Sequence, residues 1–142
     1  MTRKVLIMGL PGAGKTTLAV ELIRLLEARE KTVTWFNADD VRKQYDDWDF
    51  SLEGRLRQAH RMRELADHAE TDYVLVDFVA PLPEMRDIFA ADVTIWMANI
   101  REGRYADTNK AFIPPEKYDI QVTFQDAMFW ALKINRYLLL GF

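Results

Sequence analysis

Eight residues near the start of the chain, Gly9-Leu10-Pro11-Gly12-Ala13-Gly14-Lys15-Thr16, carry the most specific chemistry in the sequence. A glycine, four residues and then Gly-Lys-Thr is the spacing of the Walker A phosphate-binding pattern. The glycines let backbone N–H groups turn inward around phosphate oxygens. A helix opening there adds the partial positive charge of its N-terminus. Lys15 is placed to reach the outer phosphates of a nucleoside triphosphate, and Thr16 to ligate Mg²⁺ through its hydroxyl. The expected nucleotide-contacting set is Gly9, Gly12, Ala13, Gly14, Lys15, Thr16 and Thr17, with Lys15 also catalytic.

Three further groups are candidates for the other side of a transfer reaction. In Asn37-Ala38-Asp39-Asp40-Val41-Arg42, Asp39 can accept a proton from an attacking hydroxyl or hold Mg²⁺ through water. Arg42, one turn on, can grip an anion with its planar fork. The bland alternative is that Asp39 or Asp40 caps the next helix. Phe50-Ser51 is followed by Arg55 and Gln58, three apart and so neighbours on one helix face, which either borders a cleft or is an ordinary solvated surface. Asp77 ends an apolar run, either as a carboxylate holding Mg²⁺ through water or as the cap of a turn. The candidate metal residues are thus Thr16, Asp39 and Asp77. Arg104, in a basic stretch with Arg101, Lys110 and Lys117, is a candidate for neutralising transition-state charge from a lid.

These residues need a frame. Val5-Leu6-Ile7-Met8 reads as a buried parallel strand, and Leu18, Leu22, Leu25 and Leu26 as one helix face. Strands are expected over residues 32–36, 73–76, 93–97 and 120–122, and helices over 51–70, 84–89 and 124–140. Residues 100–118, with Gly103 and Pro114-Pro115, read as a loop long enough to be functional. Alternating strands and helices predict an α/β fold, a three-layer P-loop NTPase architecture with a parallel sheet of about five strands flanked by helices. The 142 residues make one domain, 1–142.

Composition narrows the class. With 49% hydrophobic and 29% charged residues the chain reads as ordinary globular protein, and a net charge of −3 gives no support to a nucleic-acid partner. The absence of cysteine removes disulfides, thiolate metal sites and Cys nucleophiles. No apolar stretch is long enough to span a bilayer, and the apolar run after Met1-Thr2-Arg3-Lys4 is too short for a signal peptide. A cytoplasmic location and no membrane partner are expected. The last helix is apolar around most of its circumference, which suits burial in the core or pairing with a second copy, a possible homodimer.

Across most of the chain these motifs resemble the adenylylsulfate kinases (APS kinases). Residues 9–16 look like that family's phosphate loop. Residues 37–42 are similar to its Asp-Gly-Asp-Asn-Val-Arg segment. Phe50-Ser51 with Arg55 and Gln58 resembles its Phe-Ser stretch, followed by Asp-Arg and an Asn. Residues 78–86 resemble its Ile-Ser-Pro segment with a downstream arginine. Pro114-Pro115 resembles the pair after its lid, which puts Tyr105 where the family carries phenylalanine. The resemblance implies transfer of the γ-phosphate of ATP to the 3′-hydroxyl of adenosine 5′-phosphosulfate. It further implies that Asp39 assists that hydroxyl, that Arg42, Arg55 and Gln58 hold the acceptor, and that Phe50 and Tyr105 sandwich its adenine. The chain departs from the family at Asn37, Ala38, Asp40, Gly54 and Gln58, and Asp77 replaces a small polar residue.

The expected activity is ATP- and Mg²⁺-dependent phosphoryl transfer to a small nucleotide-like acceptor. The alternatives are a kinase for another nucleotide, nucleoside or sugar, or a nucleotide-binding regulatory module.

Overall fold

The computed structural model describes residues 1–103 and 110–140. Arg104 and Tyr105 lie outside the described residues. Five strands form one parallel sheet: β1 (Arg3–Gly9), β2 (Val33–Asn37), β3 (Tyr73–Asp77), β4 (Val93–Met97) and β5 (Ile120–Val122), in the order β2-β3-β1-β4-β5. Among the described residues five helices flank it: α1 (Lys15–Ala28), α2 (Ala38–Tyr45), α3 (Leu52–Asp67), α4 (Pro83–Phe89) and α5 (Ala127–Leu140).

Side-chain alternation along β1 builds the three layers. Val5 and Ile7 face one side, where Leu18, Leu22 and Leu26 of α1 and Trp130, Ile134 and Leu138 of α5 complete a core. Leu6 and Met8 face the other, against Val41 of α2, Met62 of α3 and Phe89 of α4. A strand covered on both faces has no polar side to show, which is why β1 reads as an unbroken apolar run.

The elements follow the sequence expectation with three differences. Residues 38–45 form a helix of their own, α2, capped by Asn37 rather than by Asp39 or Asp40: the Asn37 side chain accepts from the Asp40 N–H at 3.1 Å. The last helix begins at Ala127, not at residue 124, because Asp126 accepts from the Phe129 N–H and caps it there. It is not buried all round either. Trp130, Ala131, Ile134 and Leu138 are buried, while Met128, Phe129, Leu132, Leu139 and Leu140 are exposed on its outer side. Among the described residues no helix is long and apolar enough to cross a membrane.

The sheet order puts the chemistry in one place. β1 lies between β3 and β4, so the chain leaves its C-terminal end at the crevice where α/β proteins of this kind bind ligands. The C-terminal residues of β1, β2 and β3 all open onto it.

Candidate active site

The phosphate loop is shaped by close approach of backbones. Gly9 pairs with Met97 across β1 and β4 at φ +150°, and a Cβ added there would lie 2.7 Å from the Met97 carbonyl oxygen. Only glycine fits. The helix after the loop starts on Gly14 in the left-handed region, at φ 93°, with no side-chain cap on its first turn and no acidic residue in it. The opening N–H groups of α1 therefore point at the loop's concave side, where they suit an anion. Lys15 is 8% exposed, and its ammonium donates to the carbonyls of Gly9 at 2.9 Å and Leu10 at 3.0 Å, which holds the charge over the loop.

Asp77, Thr16 and Asn37 meet beside it. The Thr16 hydroxyl donates to Asp77 Oδ2 at 2.7 Å, and Asn37 Nδ2 donates to the same oxygen at 3.0 Å. Asp77 is 3% exposed. Burial pushes its carboxyl above the ordinary carboxylate range, against the lowering by Thr16, Lys15 and Asn37. Among the described residues no group of three or more His, Asp or Glu side chains could hold a metal ion alone. Mg²⁺ ordinarily keeps waters and takes one or two carboxylates plus substrate phosphates. Thr16 and Asp77 fit that partial donor set.

The loop floors a cavity of about 690 Å³ that extends to Asp39, Arg42, Phe50 and Arg55. Arg42 and Arg55 are 4% and 7% exposed, which is unusual for arginines and explained by their partners. Arg42 donates to the Asp47 carbonyl at 2.9 Å, and its guanidinium stacks 4.4 Å from the centre of the Phe50 ring. Burial lowers the Arg42 pKa, while Asp47 opposes that shift. Arg55 donates through Nε to the Phe50 carbonyl at 2.8 Å. Phe50 is thus held by two cations, both near its ring and one of them also on its backbone carbonyl.

This arrangement rests on a salt-bridged loop. The Asp47 carboxylate accepts from Arg57 at 2.9 Å and from Arg61 at 3.0 Å, which holds its carboxyl well below the ordinary carboxylate range. Gly54 lets the loop close on α3, since a Cβ there would lie 2.2 Å from the Asp49 carbonyl oxygen. The aspartate that the resemblance leads one to expect before Arg55 has no room.

Gln58 is placed differently from the expectation. It is fully buried behind the cavity wall, where its amide donates to the Ala38 carbonyl at 3.0 Å and accepts from Arg61 at 2.7 Å. It pins α3 to the start of α2 and does not line the cavity. Arg86 donates to the carbonyls of Ala80, Pro81 and Ile113, tying the return from the 100–118 segment to the end of β3. Burial lowers its pKa to about 10.

Sequence reasoning missed two features. Trp48 lines the same cavity, half exposed between aspartates, and an exposed tryptophan in so acidic a run was its only signal. A second cavity of about 320 Å³ lies on the β4–β5 side of the phosphate loop, bordered by Ala13, Thr17, Asn99, Phe124 and Trp130. It is assembled from segments distant in sequence, so no local motif announces it.

A parallel sheet in this order, with a Gly-Lys-Thr loop running from its central strand into a helix, defines a P-loop phosphate-binding protein. The chain belongs to the adenylylsulphate kinase family, whose model matches residues 1–98, and it is a small-molecule kinase. The fold is similar to the Mycobacterium tuberculosis APS kinase CysC in complex with AMPPNP and APS, at TM-score 0.80 and 17% identity over 97% of this chain and 98% of that one. It is also similar to the shikimate kinase of Acinetobacter baumannii in complex with shikimate, at TM-score 0.66 and 17% identity over 99% and 95%. A gluconokinase from Sinorhizobium meliloti 1021 follows at TM-score 0.59 and 14% identity over 98% and 97%. No curated protein sequence matches the chain.

Proposed function

We propose that this protein moves the γ-phosphate of ATP, with Mg²⁺, to a hydroxyl of a small nucleotide-like acceptor, first among them the 3′-hydroxyl of adenosine 5′-phosphosulfate. The observation that carries this reading is the continuity of the 690 Å³ cavity. One wall is the phosphate loop and the facing wall is Asp39, Arg42, Phe50 and Arg55. A donor phosphate and an acceptor hydroxyl placed there are held together, and phosphoryl transfer needs little more than positioning and charge neutralisation.

In this reading each residue has a role. The phosphate-loop N–H groups and Lys15 hold the β- and γ-phosphates. Thr16 and Asp77 would hold Mg²⁺, which supplies charge neutralisation across those phosphates when bound. Asp39 takes the proton of the attacking hydroxyl. Arg42 and Arg55 meet the acceptor's anionic group, and Phe50 with Trp48 offers flat apolar surface to a base. The cavity beside Phe124 and Trp130 is where the donor's base would lie.

A second reading, a sugar or ring-alcohol kinase, is favoured by one observation. The amide of Gln58, which the resemblance assigns to the acceptor, is turned away from the cavity. Thermal shift separates the two. A ligand at about 100 times its Kd stabilises the folded state by about 2.7 kcal/mol, enough to raise Tm by several degrees. With a non-hydrolysable ATP analogue and Mg²⁺ present, adenosine 5′-phosphosulfate is expected to raise Tm further, with shikimate and gluconate leaving it unchanged. The reverse order moves the assignment to the second reading.

A further inference from the structure

Asn37 does two things at once. Its residue pairs in register with Asp77 at the C-terminal ends of neighbouring parallel strands β2 and β3. Its Oδ1 accepts the Asp40 N–H and caps α2. That bond settles which end of the amide faces which way, because a backbone N–H can be met only by the oxygen. The NH₂ group is then aimed at the site, 3.0 Å from Asp77 Oδ2 and 3.4 Å from Thr16 Oγ1. Asp77 Oδ2 takes a second hydrogen bond from the Thr16 hydroxyl. With that proton committed to Asp77, the Thr16 oxygen presents lone pairs to the cavity.

We infer that Asn37 is a positioning residue for the cation-facing carboxylate, and that the amide and carboxylate of this register pair can exchange strands as long as one of each is present. The inference rests on the phosphoryl-transfer reading only for the role of the cation. The geometry requires one anion beside Thr16 and one amide donor to hold it. Asp77 supplies the anion from β3 and Asn37 the donor from β2. Placing the carboxylate at 37 and the amide at 77 conserves both. Aspartate caps a helix as well as asparagine does, so α2 keeps its cap in the exchange. In N37D alone, two carboxylates face each other with the Thr16 hydroxyl beside them and no amide donor to hold Asp77. In D77N alone, no carboxylate is left to accept the Thr16 hydroxyl.

The test compares the wild type, N37D, D77N and the double variant N37D/D77N. The quantity read is the ratio of the Kd of a fluorescent ATP analogue without Mg²⁺ to its Kd with Mg²⁺. Nucleotide binding needs no acceptor, so failure to phosphorylate any acceptor leaves this test standing. Each single variant is expected to lower the Mg²⁺-dependent tightening about tenfold or more, the usual effect of removing a group that orients a metal ligand. The double variant is expected to return to within about threefold of wild type. Losses that multiply in the double variant, or an N37D protein indistinguishable from wild type, overturn the inference. The thermal midpoint without ligand reports folding for each protein. If N37D does not fold, N37S decides the matter, because serine keeps a capping oxygen and lacks the amide. It should lose the tightening with its Tm preserved, and wild-type tightening in N37S would refute the positioning role.

Discussion

Lys15→Ala is expected to lower kcat for phosphoryl transfer by about three orders of magnitude and to leave the ligand-free thermal midpoint within a few degrees of wild type. The size follows from removing a preorganised cation from the place where charge develops on the transferred phosphoryl group, a loss of roughly 10²–10³ for a single donor and more for a full charge. The small structural effect follows from the contacts. The ammonium is bound to the carbonyls of Gly9 and Leu10, on the wall of an open cavity, so water can take its place there. A bond from a charged donor contributes about 1.5–3 kcal/mol, and water entering the cavity in place of the ammonium offsets that loss by satisfying the two carbonyls. Alanine at the first position of α1 is also a good helix former. The check is acceptor-dependent ADP release alongside a melting curve. Wild-type turnover in the variant contradicts the assigned role, and a collapse in Tm shows that Lys15 holds the loop rather than the phosphates.

Arg55→Ala is expected to raise the apparent KM for the acceptor by about 10- to 100-fold and to leave the KM for ATP within a factor of a few. Among the described residues the guanidinium spends Nε on the Phe50 carbonyl, and its residue lines the cavity away from the phosphate loop. Charge-assisted hydrogen bonds contribute about 1.5–3 kcal/mol each, which sets the range. Arg55→Lys is expected to recover little, because an ammonium cannot hold the Phe50 backbone and an anion in the same plane. Initial-rate kinetics with each substrate varied at saturating levels of the other separate the two constants. A rise confined to the ATP constant would move Arg55 to the donor side of the cavity.

The donor half of the site is legible from sequence because its chemistry is local. Eight consecutive residues carry the phosphate loop, and the strand before it and helix after it are signalled by β1's apolar run and the leucines of α1. The sheet is legible for the same reason, since each strand's burial is written in its own residues. The acceptor half is harder. Arg42 and Arg55 line the cavity, but Gln58 is turned inward by Arg61, one turn on along α3, and by the Ala38 carbonyl, a partner that helical spacing does not show. Gly54 marks a backbone approach from Asp49 that has no periodic signal. Asn37 looked like a departure from a family pattern. In the structure its amide is the partner of a carboxylate that lies across one strand, and only the register of β2 with β3 brings the two together. The second cavity, between Thr17 and Trp130, depends on how α5 packs on α1.

The central claim is that one cavity holds donor and acceptor together, so hydrolysis of ATP without an acceptor is slow and transfer is fast. ADP release from Mg-ATP, measured with a panel of acceptors headed by adenosine 5′-phosphosulfate, tests it most directly. A low basal rate that rises at least about tenfold with adenosine 5′-phosphosulfate, saturably and with a phosphorylated product of the expected mass, is the predicted result. A steady basal hydrolysis that no nucleotide, nucleoside or sugar in the panel changes would contradict it.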